Sequence, residues 1–383
     1  MIKTFFPNIA RNQKLCLFLI FALFFSIFSL IQFSSLNSAD VDPYYHIKYA
    51  ELYRTLGIKE TLSNFNVGKY TIFSQYPSDL SFFYHILLIP FTFGNLIIGG
   101  KISAVIFASL IFAVFYWILK KSEIKYSFLW TLLLFAASSE FVFRLTLPRA
   151  FVLSILLLIL GFYLIIKKKY SWLFVLSVFY ALTYVASPLI LVISLIYIIT
   201  EYFQNKKFDW KLLAYPMAGI LTGLIIRPDF PQNLYPIFVQ NFHVLFYKLK
   251  GVELNIGAEL YPISASLRTN IILLILFDLG LALLLVDFIN KNIKKDVLSL
   301  TRLYASVLAV LFCFLTLISQ RFFEYWTPFT LFFAAFSFKY ILEDKYWRNL
   351  GAEFFKIVRS FFTQLNLKKS WLILSWPRLK IFS

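Results

Sequence analysis

Long stretches without a single charge alternate with tight basic clusters along this chain. The charge-free runs are Leu15–Ala39, Ile102–Leu119, Ala150–Ile166, Tyr170–Thr200 and Leu303–Gln320. Each supplies most or all of the ~20 apolar residues that carry an α-helix through a hydrocarbon core. As one helix, Tyr170–Thr200 would run about 50 Å against a core of about 30 Å, so two helices separated near Pro188 are expected there. The first run is long and lacks a small-x-small cleavage site, which reads as a retained helix rather than a signal peptide.

The basic clusters set an orientation. They are Lys3 with Arg11 and Lys14; Lys120, Lys121 and Lys125; Lys167 to Lys169; Lys206, Lys207 and Lys211; Lys291, Lys294 and Lys295; and Lys339, Lys345 and Arg348. Lysine and arginine collect on the cytoplasmic side, so an even number of crossings must separate successive clusters. The pairs that satisfy this are 15–33 with 101–119, 126–143 with 148–166, 171–186 with 188–204, 211–227 with 269–289, and 301–319 with 324–342. The apolar piece Phe82–Phe93 is too short to span, contains Pro90, and reads as a loop segment dipping into the interface. The expected fold is therefore an all-α polytopic bundle of about ten transmembrane helices over residues 1–343, both ends cytoplasmic, with long outer loops at 36–100 and 228–268. Residues 344–383 mix Trp347, Phe354 and Trp371 with Lys356, Arg359 and Lys368, the pattern of a basic amphipathic tail lying on anionic lipid.

Composition supports this. The chain is 60% hydrophobic and 15% charged, where soluble domains run nearer half and a quarter. A net charge of +18 would raise nucleic acid as a partner, but the charges follow the loops, so that class is excluded. Cys16 and Cys313 both fall inside expected helices and suggest neither a disulfide nor a zinc site.

The candidate chemistry starts where the first helix ends, at Asp40-Val41-Asp42-Pro43-Tyr44-Tyr45-His46. Carboxylates at the mouth of a membrane helix are costly unless they meet water, a metal or a cation. Asp40 and Asp42 can act on an acceptor as base or orienting group, or ligate Mg²⁺ or Mn²⁺; the bland alternative is a helix cap or solvated turn. His46 is either a metal or phosphate partner or a structural histidine. Arg144, Arg149, Arg227, Glu259, Arg321 and Glu324 all fall on the same expected face. Arginines there suit an anionic, lipid-linked substrate, and for each the alternative is snorkelling to the interface or a surface ion pair.

Asp40 to Lys48 resembles the first outer-loop motif of the oligosaccharyltransferase catalytic subunit: acid, any residue, Asp, Pro, two aromatics, Asn or His, and a nearby base. Ser319-Gln320-Arg321-Phe322-Phe323-Glu324-Tyr325-Trp326 is similar to a late Gln-x-Arg-Phe-x-Tyr-Tyr segment of the archaeal-type members, and Asn255 to Leu260 faintly resembles their outer-loop glutamate motif. These enzymes belong to the GT-C membrane glycosyltransferases. The resemblance implies a prokaryotic cytoplasmic-membrane enzyme that transfers sugar from a polyprenyl-phosphate carrier on the outer face to a lipid-linked glycan, an envelope glycan or a protein. It implies Asp42 as catalytic carboxylate with Asp40 assisting, Arg321, Arg149, Arg144 and Arg227 as donor-phosphate ligands, Glu259 as a second acid, His46 and Glu324 as accessory groups, and Asp42, Asp40 and Glu259 as the ligands of any divalent ion. The sequence departs from the family in having no Trp-Trp-Asp-Tyr-Gly acceptor motif, no Asp-Asn-Glu in the second outer loop and no C-terminal soluble domain. A polyprenyl-lipid flippase and a non-catalytic scaffold of the same fold stay open. A flippase would place polar groups through the helix interiors and often carries an internal repeat; the interiors here are nearly free of charge and no repeat is visible.

Overall fold

The computed structural model describes residues 13–64, 72–243, 246–247, 250–251, 257–262, 270–294 and 299–343. Among these residues the chain is all-helical, with no strand. The long helices are α1 (Gln13–Gln32), α5 (Leu96–Lys121), α8 (Phe151–Ile166), α9 (Tyr170–Thr183), α10 (Leu189–Asn205), α11 (Lys211–Ile225), α13 (Ile271–Lys294), α14 (Leu300–Ile318) and α15 (Phe323–Glu343). Between α1 and α5 lie α2 (Asp42–Thr55), α3 (Ile58–Asn64) and α4 (Phe82–Leu88). Two short helices, α6 (Ser127–Ala136) and α7 (Ser139–Leu145), follow α5, and α12 (Leu234–Phe238) follows α11.

Among the described residues three helices, Gln13–Gln32, Leu96–Lys121 and Leu300–Ile318, are long and apolar enough to cross a membrane; a fourth span results if α6 and α7 are one crossing. The expected break in Tyr170–Thr200 is present: α9 ends at Thr183 and α10 begins at Leu189, directly after Pro188. The Phe82–Phe93 piece is a seven-residue helix followed by a 3₁₀ turn at Ile89–Thr92 that opens on Pro90, with Tyr84, His85 and Leu88 buried.

One expectation needs correction. Residues 126–143 do not form a single rod, because α6 and α7 meet at 88°. The break falls where Ser138 takes an extended conformation and its hydroxyl caps α7 by accepting the Phe141 N–H. A serine N-cap outcompetes helix continuation here, since it satisfies a donor the new helix would otherwise orphan. The turn redirects Arg144 toward the end of the bundle that carries α2 to α4.

Stacked aromatic rings join several of the helices. Phe24 of α1 stacks on Phe112 of α5 at 4.0 Å between centroids, and Phe162 of α8 stacks on Tyr304 and Phe332. Lys101, at the start of α5, donates to the carbonyls of Gln32 and Ser35 at 3.0 and 2.5 Å. It thereby fixes where the chain leaves α1 and enters the segment bearing Asp40. The opposite, lysine-rich end is tied by Lys168, which pairs with Glu201 at 2.8 Å and Asp209 at 3.3 Å.

Helix α11 approaches α9 through two glycines one turn apart. A Cβ on Gly219 would stand 2.4 Å from the Phe174 carbonyl oxygen, and one on Gly223 2.7 Å from the Val178 carbonyl oxygen. Small residues four apart allow such close backbone approach, which drives helix association where no hydrophobic effect operates. Backbone carbonyls cannot rotate aside. Gly219→Ala and Gly223→Ala should each cost about 1–3 kcal/mol of overpacking, read as a lower thermal midpoint of the detergent-purified protein. Gly100→Ala, whose Cβ would meet nothing closer than Ile47 Cβ at 3.9 Å, should leave that midpoint unchanged or raised.

Candidate functional site

The helices deliver a compact charge cluster to the loop-rich end of the bundle. Asp42 opens α2 and Pro43 fills the first turn, where a fixed φ and a missing N–H are tolerated. An acid in that turn also complements the helix dipole. The residue capping α2 is Val41, which makes no side-chain cap, so the capping alternative for Asp42 finds no support in the geometry. Asp40 accepts the Val41 N–H at 2.7 Å through one oxygen and pairs with Arg149 through the other.

Arg149 lies in the connection between α7 and α8 and gathers three acids. Its guanidinium bonds Asp40, stands 2.9 Å from Asp42 and 3.3 Å from Glu259. Arg144 bonds the buried Glu324 and, at 2.7 Å, Glu259, with the Phe151 ring 4.4 Å beneath its guanidinium. Arg321, in the 3₁₀ turn Gln320–Phe322, donates to the Tyr184 hydroxyl and reaches within 3.9 Å of Glu259. Three guanidiniums thus surround the Glu259 carboxylate. Its backbone is held by the strip that carries Arg321: Ser319 Oγ donates to the Glu259 carbonyl, the Gln320 N–H to the Tyr261 carbonyl, and Gln320 Nε2 to the Pro262 carbonyl. Partial burial would raise the Glu259 carboxyl, but the charges of Arg144 and Arg321 and the hydrogen bond from Arg144 prevail and hold it below the usual range. Two polar atoms of the cluster, Arg149 Nε and Glu324 Oε2, are buried without a hydrogen-bond partner among the described residues. Such orphans in a native site call for a water or a ligand group.

The sequence-predicted residues Asp40, Asp42, Arg144, Arg149, Glu259, Arg321 and Glu324 therefore meet, although they come from four separate segments. Arg227 does not. It is buried, its guanidinium engages Asp229 at 2.9 Å through two nitrogens, and it also donates to the Asp79 carbonyl. Arg227 stands apart from the arginines around Glu259: its Nε and Nη2 clamp the chain after α11 to the segment before α4.

Nor do the carboxylates suit a divalent ion as they stand. Asp40, Asp42 and Glu259 share one guanidinium, and among the described residues no three of His, Cys, Asp and Glu lie close enough to hold a metal. A cation introduced between these acids would sit against the Arg149 guanidinium.

His46 joins a different set, which the sequence reading did not assemble. Its Nδ1 lies 2.8 Å from His85 Nε2, and His85 Nδ1 lies 2.6 Å from Asp79 Oδ2. Asp79 also accepts from the Tyr53 hydroxyl at 2.7 Å and the Ser81 N–H at 3.0 Å. Burial alone would raise Asp79, yet His85 and these donors hold its carboxyl low. Burial and then the neighbouring His85 push the His46 imidazole well below its usual value. The available signal was a histidine inside a short, mostly apolar helix with an aspartate just before it, but nothing local links them to His46.

No protein-family model matches the chain, and no curated protein matches it.

The Glu259 shift has a definite pH consequence. A carboxyl lowered on folding stabilises the native state above its unfolded value, near 4.3, and that contribution fades as the pH falls through the lower folded value. The thermal midpoint of the wild type should exceed that of Glu259→Gln at pH 6, and the gap should close as the pH drops below about 4. A gap that does not change with pH would mean the carboxylate is not held by the arginines.

Proposed function

We propose that this protein is a membrane glycosyltransferase of GT-C type, which moves a sugar from a polyprenyl-phosphate-linked donor to an acceptor at the loop-rich end of the bundle. The observation that carries this reading is the convergence of Arg144, Arg149 and Arg321 on a single carboxylate, beside Asp40 and Asp42. Guanidiniums recognise phosphate bidentately and keep their charge at any working pH, so three around one anion suit a donor phosphate. Glu259 fills that position here. The donor phosphodiester, whose charge grows as the sugar leaves, would replace it.

In this reading α1, α5, the bent α6–α7 pair, α8 to α11 and α13 to α15 are ten crossings. The lysine-rich end is cytoplasmic and the charge cluster faces outward, in a prokaryotic cytoplasmic membrane. The basic tail of residues 344–383 lies outside the described residues. The acceptor is a lipid-linked glycan, an envelope glycan or a protein.

The chemistry is a displacement at the anomeric carbon. An acceptor hydroxyl oxygen forms the new bond to that carbon, the bond from carbon to phosphate oxygen breaks, and the electron pair leaves on the polyprenyl phosphate. The arginines stabilise the negative charge that develops there, in a site already arranged for an anion. Asp42 has half of its side chain exposed and only one contact with Arg149, which leaves it able to hold the acceptor hydroxyl in line. Asp40, more enclosed, positions Arg149.

Purified protein given a panel of polyprenyl-phosphate sugars should transfer sugar, and Asp42→Asn should lower turnover by about 10²-fold or more with folding and lipid binding kept. Equal turnover in both would remove Asp42 from the chemistry. Binding of polyprenyl phosphate without transfer, across the whole panel, would favour the flippase or scaffold. Glu259→Gln should tighten polyprenyl-phosphate binding, since it removes the competing anion; weaker binding would make Glu259 a substrate ligand.

A further inference from the structure

Asp79, His85 and His46 form a continuous hydrogen-bonded line that the transfer mechanism above does not use. Asp79 and His85 are fully buried, and the line starts where Tyr53, Ser81 and the Arg227–Asp229 clamp hold the aspartate from several sides. The clamp fixes the Asp79 backbone, and the Tyr53 hydroxyl and Ser81 N–H both donate to its carboxylate, which sets the way each hydrogen bond runs. The ionised carboxylate accepts only, so His85 Nδ1–H donates to it. His85 Nε2 is then the acceptor for His46 Nδ1–H. That leaves His46 Nε2 with its lone pair. His46 is an intermediate, partly exposed residue, and its Nε2 has no hydrogen bond among the described residues. His46 lies one helical turn after Asp42 on α2, where residues four apart share a face, and Arg149 is near enough for its charge to act on the imidazole. The outlet of the line is therefore next to the charge cluster.

We propose that Asp79, His85 and His46 are a proton relay in which His46 Nε2 takes the proton of the attacking hydroxyl. The proposal rests on the transfer reading above for the identity of that hydroxyl. As the acceptor oxygen bonds the anomeric carbon, its proton passes to His46 Nε2, the His46 Nδ1 proton passes to His85 Nε2, and the positive charge comes to rest on His85 beside the Asp79 carboxylate. No redox partner is needed, and the proton returns to water when the product leaves. His46 would be the catalytic group, because it meets the substrate; His85 and Asp79 are positioning residues that fix its tautomer. Burial disfavours a charge that stays on His46, so passing it inward to an ion pair with Asp79 is the favourable course. The other groups around the two imidazoles are Tyr45, Tyr49, Tyr53 and Tyr84, which are neutral and supply ring contacts.

The chain has only three histidines, His46, His85 and His243, so ¹⁵N-histidine labelling of the full-length protein in detergent gives a readable spectrum. The imidazole signal lost in His46→Gln should show a protonated Nδ1 and a bare Nε2 in the wild type, and Tyr53→Phe, which removes one Asp79 donor, should keep that pattern. In Asp79→Asn or His85→Gln the His46 tautomer should change or become mixed. On the active donor, His46→Gln should lower turnover by about 10²–10⁴-fold, the range for removing a general base. A His46 ring protonated at Nε2 and bare at Nδ1 would overturn the relay. Turnover within twofold of wild type in His46→Gln would do the same. A wild type that shows the expected tautomer but transfers no sugar from any donor would overturn the transfer reading and, with it, the proton step at His46, while the order of the hydrogen bonds along the line would stand, so this failure is distinct from a wrong tautomer.

Discussion

Buried guanidinium groups among apolar helices must be met by carboxylates, and the loop-rich end of this molecule is arranged around that need. Arg144 and Arg149 come from one short stretch after the 88° bend, yet their partners arrive from Asp40 and Asp42, from Glu259 and from Glu324. Removing one member of a buried ion pair typically costs 3–5 kcal/mol, because the remaining charge is stranded in a low dielectric. The cluster therefore does two jobs. It ties together segments far apart in sequence, and it assembles several arginines around a single anion. A group of cations whose neutralising partner is a carboxylate on a loop is one ligand exchange away from binding a different anion.

The same logic separates Arg227 from the others. Its guanidinium is satisfied by a residue two positions away and by a backbone carbonyl, so it needs nothing further. Asp229 in turn accepts from Ser78 Oγ at 2.8 Å and the Asp79 N–H at 3.1 Å. This clamp is structural in character, but it is also what presents Asp79 to His85. Two charge systems thus run side by side: one exposed enough to exchange partners, the other sealed and directional.

Much of this was legible in the chain, and the limits are physical. The charge-free runs and lysine clusters marked where helices begin and end, down to the break before Pro188. Asp40, Asp42 and Arg321 could be picked out because each sits at the end of an apolar run, where a charge needs a reason. The bend at Ser138 was not foreseen, since its apolar flanks satisfy helix periodicity and only the cap chemistry decides the outcome. The pair Gly219 and Gly223 went unread because a glycine matters for what approaches it, and Phe174 and Val178 are more than forty residues upstream. His85 was hidden for the same reason. Within Phe82–Leu88 it is one polar residue in an apolar helix, and its meaning comes from His46 and Asp79 on either side of it in space.

The position of the acids relative to the arginines bears on how such a site would discriminate. With Arg149 shared among three carboxylates, a substrate anion does not simply add charge but redistributes it. A phosphate that takes Glu259's place leaves Asp40 and Asp42 still bonded to Arg149, so the guanidinium that would meet the leaving group also fixes Asp42, the carboxylate that would meet the acceptor. Donor and acceptor recognition would then be linked through one side chain. A neutral ligand could not compete with Glu259 for the arginines, and an anion too small to span Arg144 and Arg321 would leave the first held by Glu324 alone or the second by the Tyr184 hydroxyl alone. The three guanidiniums around Glu259 thus suit an anion whose oxygens are shared among more than one arginine.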